Sequence, residues 1–201
     1  MNESEFDVVV IGGGSTGTAV ARDCAMRGFR TLLLERDDIA SGTSGANAGM
    51  ISSGLKYQDD PDLMKLCSSE VVFLNRIARH IIMKNPIIAP ILDLSIAASD
   101  GKYMDAYSEH ADERDVPEMV FITPEATLEL EPMVHPDVIA GVYFEEFFID
   151  PFRLCLLQAI DAKNHSAEIK TYCEVIGFEK TEQEIQSVLY YNRLTGQSEK
   201  A

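Results

Sequence analysis

One stretch constrains this chain more than any other: FDVVVIGGGSTGTAVARDCAMRGFRTLLLE, from Phe6 to Glu35. Phe6–Ile11 is a short apolar run rich in β-branched residues, the pattern of a strand buried on both faces in a parallel sheet. Gly12–Gly14 breaks it. The next residues, STGTAVARDCAMRG, carry Ala19, Val20, Cys24 and Ala25 on one helical face, and Gly28 supplies a C-terminal stop. A second buried strand follows, Thr31–Glu35. Strand, glycine turn, helix and strand completed in about thirty residues make a βαβ unit. The fold class that follows is α/β with a Rossmann-like parallel sheet.

The glycines make the turn chemically specific. In Gly12-x-Gly14-x-x-Gly17, the first glycine permits the tight turn and the second lets the backbone approach a pyrophosphate. The third lets the helix sit close on the strand. The helix N-terminus offers unpaired N–H groups and a partial positive charge to phosphates. Glu35, at the end of the second strand, is placed to accept hydrogen bonds from ribose hydroxyls, and its charge argues against a 2′-phosphate. These residues read as a dinucleotide site. The segment that follows bears on which dinucleotide. Residues 36–57 hold almost no large apolar side chain and many Gly, Ser, Thr and Asn. An NAD enzyme would head at once into another crossover, whereas this segment can lie along an extended ligand, which suits FAD. The expected cofactor contacts are Gly12, Gly13, Gly14, Ser15, Thr16, Gly17, Glu35, Arg36, Thr43, Ser44, Asn47, Ala48, Gly49, Met50 and Ile51.

Several classes are excluded or disfavoured. With 33 acids against 17 bases the formal charge is −16, and binding to nucleic acid needs clustered Lys and Arg. Cys24, Cys67, Cys155 and Cys173 form no C-x-x-C pair, so no metal or dithiol centre is expected. At least three of them read as core residues of a protein in a reducing cytoplasm. The start of the chain has neither a basic n-region nor a membrane-length apolar run, and no later segment reaches that length.

Downstream, the pattern predicts a helix around Leu63–Ala78, a proline-punctuated loop, and a strand over Leu92–Ala98. A polar helix is expected over Lys102–Arg114. Thr123-Pro124 and Asp150-Pro151 are helix openings, each a cap residue followed by proline. Ile139–Phe144, Glu168–Tyr172 and Val175–Asn192 read as strand. Arg193–Gly196 is a turn whose return strand looks barely present, so the chain is expected to be a truncated portion of a longer fold.

These residues resemble FAD-dependent glycerol-3-phosphate dehydrogenases, most of all the large subunit of the anaerobic type. The resemblance rests on the opening through Gly45, on Arg22-Asp23-Cys24-Ala25 and on Glu35-Arg36-x-Asp38-Ile39-Ala40-x-Gly42. It extends to Asn75-Arg76-Ile77-Ala78-Arg79-His80, Glu131-Pro132, Asp150-Pro151-Phe152-Arg153-Leu154 and Leu194-Thr195-Gly196. The first block is shared with the wider flavin oxidoreductase superfamily that includes D-amino-acid oxidases. The resemblance implies a discontinuous FAD-binding domain with an inserted α+β substrate domain. Its expected divisions are residues 1–84 for the FAD unit, 85–149 for a partial substrate domain and 150–201 for the return. It also implies hydride transfer from C2 of glycerol 3-phosphate to flavin N5, with electrons passing to further subunits or a quinone-linked acceptor. The location it implies is cytoplasmic, peripheral to the inner membrane through partners. An amino-acid or 2-hydroxy-acid oxidase with a changed pocket, and a flavin-binding chain without turnover, stay open beside it.

The family pattern over residues 45–57 is close to G-R-N-H-G-x-x-H-S-G-x-R-Y. This chain reads GANAGMISSGLKY. Ala46, Ala48 and Ser52 replace one arginine and two histidines, and Lys56 replaces the last arginine. Alanine cannot move protons as histidine does, and lysine lacks arginine's two-point grip on phosphate. Lys56, Ser52 and Arg153 are therefore weak catalytic candidates, with Arg153 also readable as a structural ion pair at a helix start. The four histidines read as solvated side chains.

Overall fold

The computed structural model describes residues 6–54, 57, 60–93, 107–108 and 116–201. In chain order its elements are β1 (Val8–Ile11), α1 (Ser15–Met26), β2 (Thr31–Leu34), β3 (Met50–Ile51), α2 (Pro61–Ile77), a 3-10 turn (Arg79–Ile81), β4 (Ile82–Ile91) and β5 (Val120–Ile122). They continue with α3 (Pro124–Leu130), β6 (Ala140–Ile149), α4 (Pro151–Asn164), β7 (Glu168–Lys170), β8 (Cys173–Lys180), β9 (Ile185–Asn192) and β10 (Gln197–Lys200). By contacts the chain forms two units: Met1–Asn47 with Asp150–Ala201, and Ala48–Ile149. Helix α2, grouped with the cofactor part in the sequence reading, therefore folds with the second unit.

The first unit is layered around β2. A parallel sheet runs in the order β1-β2-β7, and all four residues of β2 are buried. Side chains alternate between the two faces of a strand. Leu33 joins Val10, Ala21, Ala25, Ala162 and Ala167 on the helical side. Leu32 and Leu34 join Cys173, Val188 and Tyr190 on the other, where β8, β9 and β10 form an antiparallel sheet. Burying each such leucine contributes about 1.5–3 kcal/mol. The alanines keep α1 and α4 close, and Thr18, fully buried, donates its hydroxyl to Gln158 Oε1 at 2.7 Å.

Two details of this unit differ from the sequence reading. Val175–Asn192 is not one strand but two, β8 and β9, separated at residues 181–184 by a turn in which Thr181 N–H reaches Glu184 O. The return strand is also fully formed: β10 pairs with β9 over Gln197–Lys200. Ala201 then exchanges both backbone hydrogen bonds with Val188.

The second unit is built on β6. β4 pairs with all ten residues of it on one side, and β3 and β5 pair with it on the other. Val71, Ile91, Tyr107, Val116, Met119, Val142 and Phe147 make its core. Here the expected proline-punctuated loop is in fact strand β4, IMKNPIIAPI. The expected strand over Leu92–Ala98 does not begin where predicted: Leu92 and Asp93 are irregular, and 94–98 lie outside the described residues. Register explains how a strand holds two prolines. Ile91 O accepts from Ile139 N–H, so odd-numbered residues aim their backbone groups at β6. Pro86 and Pro90 are even-numbered, so their missing N–H would have pointed away from the partner. Of the expected polar helix over 102–114, Tyr107 and Ser108 are helical and the rest lies outside the described residues.

Helix starts follow local chemistry. Asp60 Oδ1 accepts from Leu63 N–H at 3.0 Å, Thr123 Oγ1 from Ala126 N–H at 3.2 Å, and Asp150 Oδ1 from Arg153 N–H at 3.0 Å. In each case proline follows the cap, where its absent N–H costs nothing.

Candidate functional site

The glycine turn joins β1 to α1. Gly12 has φ +105° and its N–H donates to Leu34 O at 2.8 Å, so the turn stays registered on β2. A Cβ built on Gly17 would collide with the Gly12 carbonyl oxygen. Only glycine lets α1 start this close to the strand. Helix α1 has no side-chain cap at Gly14. Thr18 N–H returns to Gly14 O, while the N–H groups of Gly14, Thr16 and Gly17 find no acceptor among the described residues. These donors, with the helix dipole behind them, form a cradle suited to phosphate oxygens.

Glu35 closes the other end. Its Oε2 accepts from Gly13 N–H at 2.6 Å and its Oε1 from Asp37 N–H at 2.7 Å. An ionised carboxylate only accepts hydrogen bonds, and two oxygens leave lone pairs for hydroxyl donors.

Residues 36–47 fold back over the turn. Ala40 N–H reaches Gly13 O at 3.0 Å. Ser44 Oγ accepts from Ser15 N–H at 2.9 Å and lies 2.8 Å from where a Gly14 Cβ would stand. Asn47 Nδ2 donates to Thr43 O at 3.1 Å and to Ser44 O at 2.7 Å, which fixes the shape of the loop. Thus the first unit gathers Gly12, Gly13, Gly14, Ser15, Thr16, Gly17, Glu35, Thr43, Ser44 and Asn47 at one end of α1. Arg36 is exposed, with Nε 3.3 Å from Asp37 Oδ2.

The remaining expected contacts belong to the second unit. Ala48 is exposed, and Gly49 O accepts from Ile149 N–H at 2.8 Å. Met50 and Ile51 pair with Phe148 and Phe147. Among the weak catalytic candidates, Ser52 Oγ accepts from Gly54 N–H at 3.1 Å, and Lys56 lies outside the described residues. Arg153 is exposed and makes no ion pair among the described residues, so the structural ion pair expected for it is not formed there.

The cysteines are free: Cys155 and Cys173 are buried, while Cys24 and Cys67 are only half-buried, one fewer in the core than expected. Burial pushes both buried thiols up from their usual pKa, which makes them unreactive. His80, His135 and His165 are exposed, and His110 lies outside the described residues. Among the described residues no helix is long and apolar enough to cross a membrane.

Two arrangements were not legible as sites in sequence. Glu146, at 2% exposure, receives Ser53 N–H at 3.1 Å and Ser53 Oγ–H at 2.6 Å, anchoring the end of the small-residue stretch to β6. Arg193, in the β9–β10 turn, reaches the loop after β2. Its Nη1 donates to Arg36 O at 2.6 Å and to Asp37 Oδ1 at 2.7 Å. The Asp37 carboxylate holds the Arg193 guanidinium in its charged form. The first pair joins residues 93 positions apart and the second residues 156 apart, so no local signal marks either.

Comparison with known proteins agrees with this geometry. The family described as FAD dependent oxidoreductase matches residues 7–200. The chain is 38% identical over 197 residues to an anaerobic glycerol-3-phosphate dehydrogenase subunit of Escherichia coli strain K12, covering 96% of this chain and 35% of that protein. It is 30% identical over 190 residues to the human mitochondrial glycerol-3-phosphate dehydrogenase, covering 89% of this chain and 26% of that one. Among solved structures, the glycerol-3-phosphate dehydrogenase of Bacillus halodurans complexed with FAD aligns with a TM-score of 0.72 at 25% identity, over 100% of this chain and 33% of that one. The L-amino acid deaminase of Proteus myxofaciens aligns with a TM-score of 0.73 at 26% identity, over 94% of this chain and 43% of that one. The chain thus spans about a third of the length of the curated relatives it matches. A glycine turn that only glycine can make, open helix donors above it, a carboxylate beside it and a family match along nearly its whole length lead to one conclusion: the chain belongs to the FAD dependent oxidoreductase family.

Proposed function

We propose that this chain carries the dinucleotide-holding part of a flavoprotein dehydrogenase acting on glycerol 3-phosphate or a related small hydroxy compound. The observation that carries the reading is the Gly12–Gly17 turn, with its open N–H groups and the Glu35 carboxylate at Gly13. In this reading the N–H groups of Gly14, Thr16 and Gly17 take the pyrophosphate oxygens of FAD. Glu35 takes the adenosine ribose hydroxyls, and Thr43, Ser44 and Asn47 shape the loop that covers the turn. Arg36 flanks the ribose side, and Ala48–Ile51 supply backbone to the flavin side. Bound flavin supplies hydride acceptance, and the chain supplies orientation and exclusion of water. Cofactor roles fall in residues 1–84 and 150–201, and the substrate part begins in 85–149. Electrons leave to further subunits or a quinone-linked acceptor, and the location is cytoplasmic, peripheral to the membrane through partners.

A second reading has its own observation. Ala46 and Ala48 are exposed and Ser52 is engaged with Gly54 N–H, at the positions where the resemblance places an arginine and two histidines. This favours a chain that holds flavin without the family's turnover.

The two readings part on a spectrum. Reconstitution with FAD should give a visible flavin band that survives desalting; no band sinks both. Anaerobic bleaching by glycerol 3-phosphate, but not by lactate or alanine, supports the dehydrogenase. Retained flavin with no bleaching supports binding alone, and bleaching by lactate or alanine would instead favour an oxidase of amino or 2-hydroxy acids. Gly14→Leu should abolish retention, because its side chain would enter the space of Ser44; unchanged retention overturns the assignment of the turn.

A further inference from the structure

We infer that Arg193 is a positioning residue for the ribose-binding carboxylate, which it sets through Asp37; the inference rests on the FAD reading above. The connection is continuous within the first unit. The turn from Asn192 to Gly196 is stiff: Asn192 Oδ1 accepts from Leu194 N–H at 3.0 Å and from Thr195 N–H at 3.2 Å, and Gly196 N–H closes on Asn192 O at 2.8 Å. Arg193 N–H donates to Tyr172 O at 2.8 Å, and Tyr172 N–H donates to Asp37 O at 3.0 Å. The backbone of the turn and the backbone of the loop after β2 are therefore pinned to the same residue.

The side chain adds the directional element. One nitrogen, Nη1, bridges Arg36 O and Asp37 Oδ1 at 2.6 and 2.7 Å. Asp37 N–H in turn donates to Glu35 Oε1 at 2.7 Å, leaving Oε2 on Gly13 N–H. Glu35 itself is fixed from behind, since its N–H reaches Lys170 O and its O accepts from Cys173 N–H at 2.7 Å. The rotation of the carboxylate is what remains to be set, and Gly13 N–H and Asp37 N–H set it together, one on each oxygen. Without the guanidinium, Asp37 faces Arg36 alone, whose side chain is 71% exposed, and the peptide that aims at Oε1 loses its brace. Two cations flank Asp37 at present, so the loop does not add a second uncompensated negative charge beside Glu35.

The expected consequence is selective. A ligand that uses its ribose hydroxyls should lose about tenfold in affinity when Arg193 is removed, the scale of one hydrogen bond to a charged group. A ligand lacking those hydroxyls should lose almost nothing. The experiment uses the full chain freed of flavin and calorimetric titration with ADP and with 2′,3′-dideoxy-ADP. Arg193→Ala should weaken ADP about tenfold and leave the dideoxy analogue unchanged, and Arg193→Lys should recover part of the loss. Asp37→Asn provides an independent route, since it removes the charge that Arg193 holds. It should show the same selectivity, with the double variant no worse than the more affected single one. Equal weakening of both ligands, or no weakening of either, overturns the inference while leaving the FAD reading intact. Failure of the unsubstituted chain to bind ADP or FAD at all overturns the reading beneath it, and the inference with it.

Discussion

Two glycine-bearing stretches, Gly12–Gly17 and Gly45–Gly54, differ in what surrounds their glycines. In the first, Gly17 lies against the Gly12 carbonyl and the open donors of α1 remain in place. In the second, Gly54 has φ +101°, and a Cβ there would stand 2.7 Å from Met64 Cα and 2.9 Å from Met64 O. Both glycines are demanded by backbone packing. Of the four positions where the sequence departs from the pattern it resembles, Ala46 and Ala48 are exposed and make no such demand, Ser52 is half-buried, and Lys56 lies outside the described residues. The comparison separates residues that build a cradle from residues that would work in it. Packing requires a glycine in both stretches, and the resemblance would place charged or imidazole side chains in the second where this chain has small ones.

The comparison can be broken from either side. Gly17→Ala should be the most damaging change, costing about 3 kcal/mol because neither the helix start nor the Gly12 carbonyl can yield; a thermal melt within a degree of the parent would break the argument. Gly54→Ala should follow, at about 2 kcal/mol, from a left-handed backbone plus a contact with the α2 main chain. Denaturant titration checks it, and a smaller loss than for an exposed alanine substitution would refute it. Ala46→Arg and Ala48→His should each move stability by no more than about 0.5 kcal/mol. If either unfolds the chain, the small residues are structural after all. Asp161→Asn removes the ion pair with Arg22 that joins α4 to α1; both side chains are more than a third exposed, so the loss should be under about 1 kcal/mol.

The smallest effect is a pH limb. Hydrogen bonds from Arg30 hold the Asp7 carboxyl down at about 2. A folded-state pKa depressed below the unfolded one gives stability that is present above the unfolded value, about 3.9. It is lost as the pH falls through about 2. Asp7→Asn should flatten that part of the acid titration, and an unchanged acid limb would show the pair to be inert.

Legibility in the sequence followed the range of the interactions. The βαβ unit and the two proline-followed caps at Thr123 and Asp150 were readable because each is settled within a few residues. β4 was not, because Pro86 and Pro90 carry a local loop signal that only the register against β6 overrides. The split of β8 from β9, and the sheet they form with β10, depends on pairing rather than on composition. The glycine turn between β1 and α1 was readable as a backbone shape, with Gly12 at positive φ and Gly17 against the Gly12 carbonyl. The Ser53–Glu146 and Arg193–Asp37 contacts were not, since a single sequence holds no sign of which distant residue will meet which.

The two prolines of β4 have a consequence for the crowded life of the protein. Among the described residues β4 pairs on one side only, and its other side would ordinarily offer a ladder of donors to any passing extended chain. Two of those donors are absent by covalent structure, at alternate outward positions. A stranger strand laid along that border would find gaps where it needs bonds. Converting both prolines to threonine should leave the native pairing with β6 intact and yet make the protein prone to clumping, a cost that no measurement of folding stability would reveal.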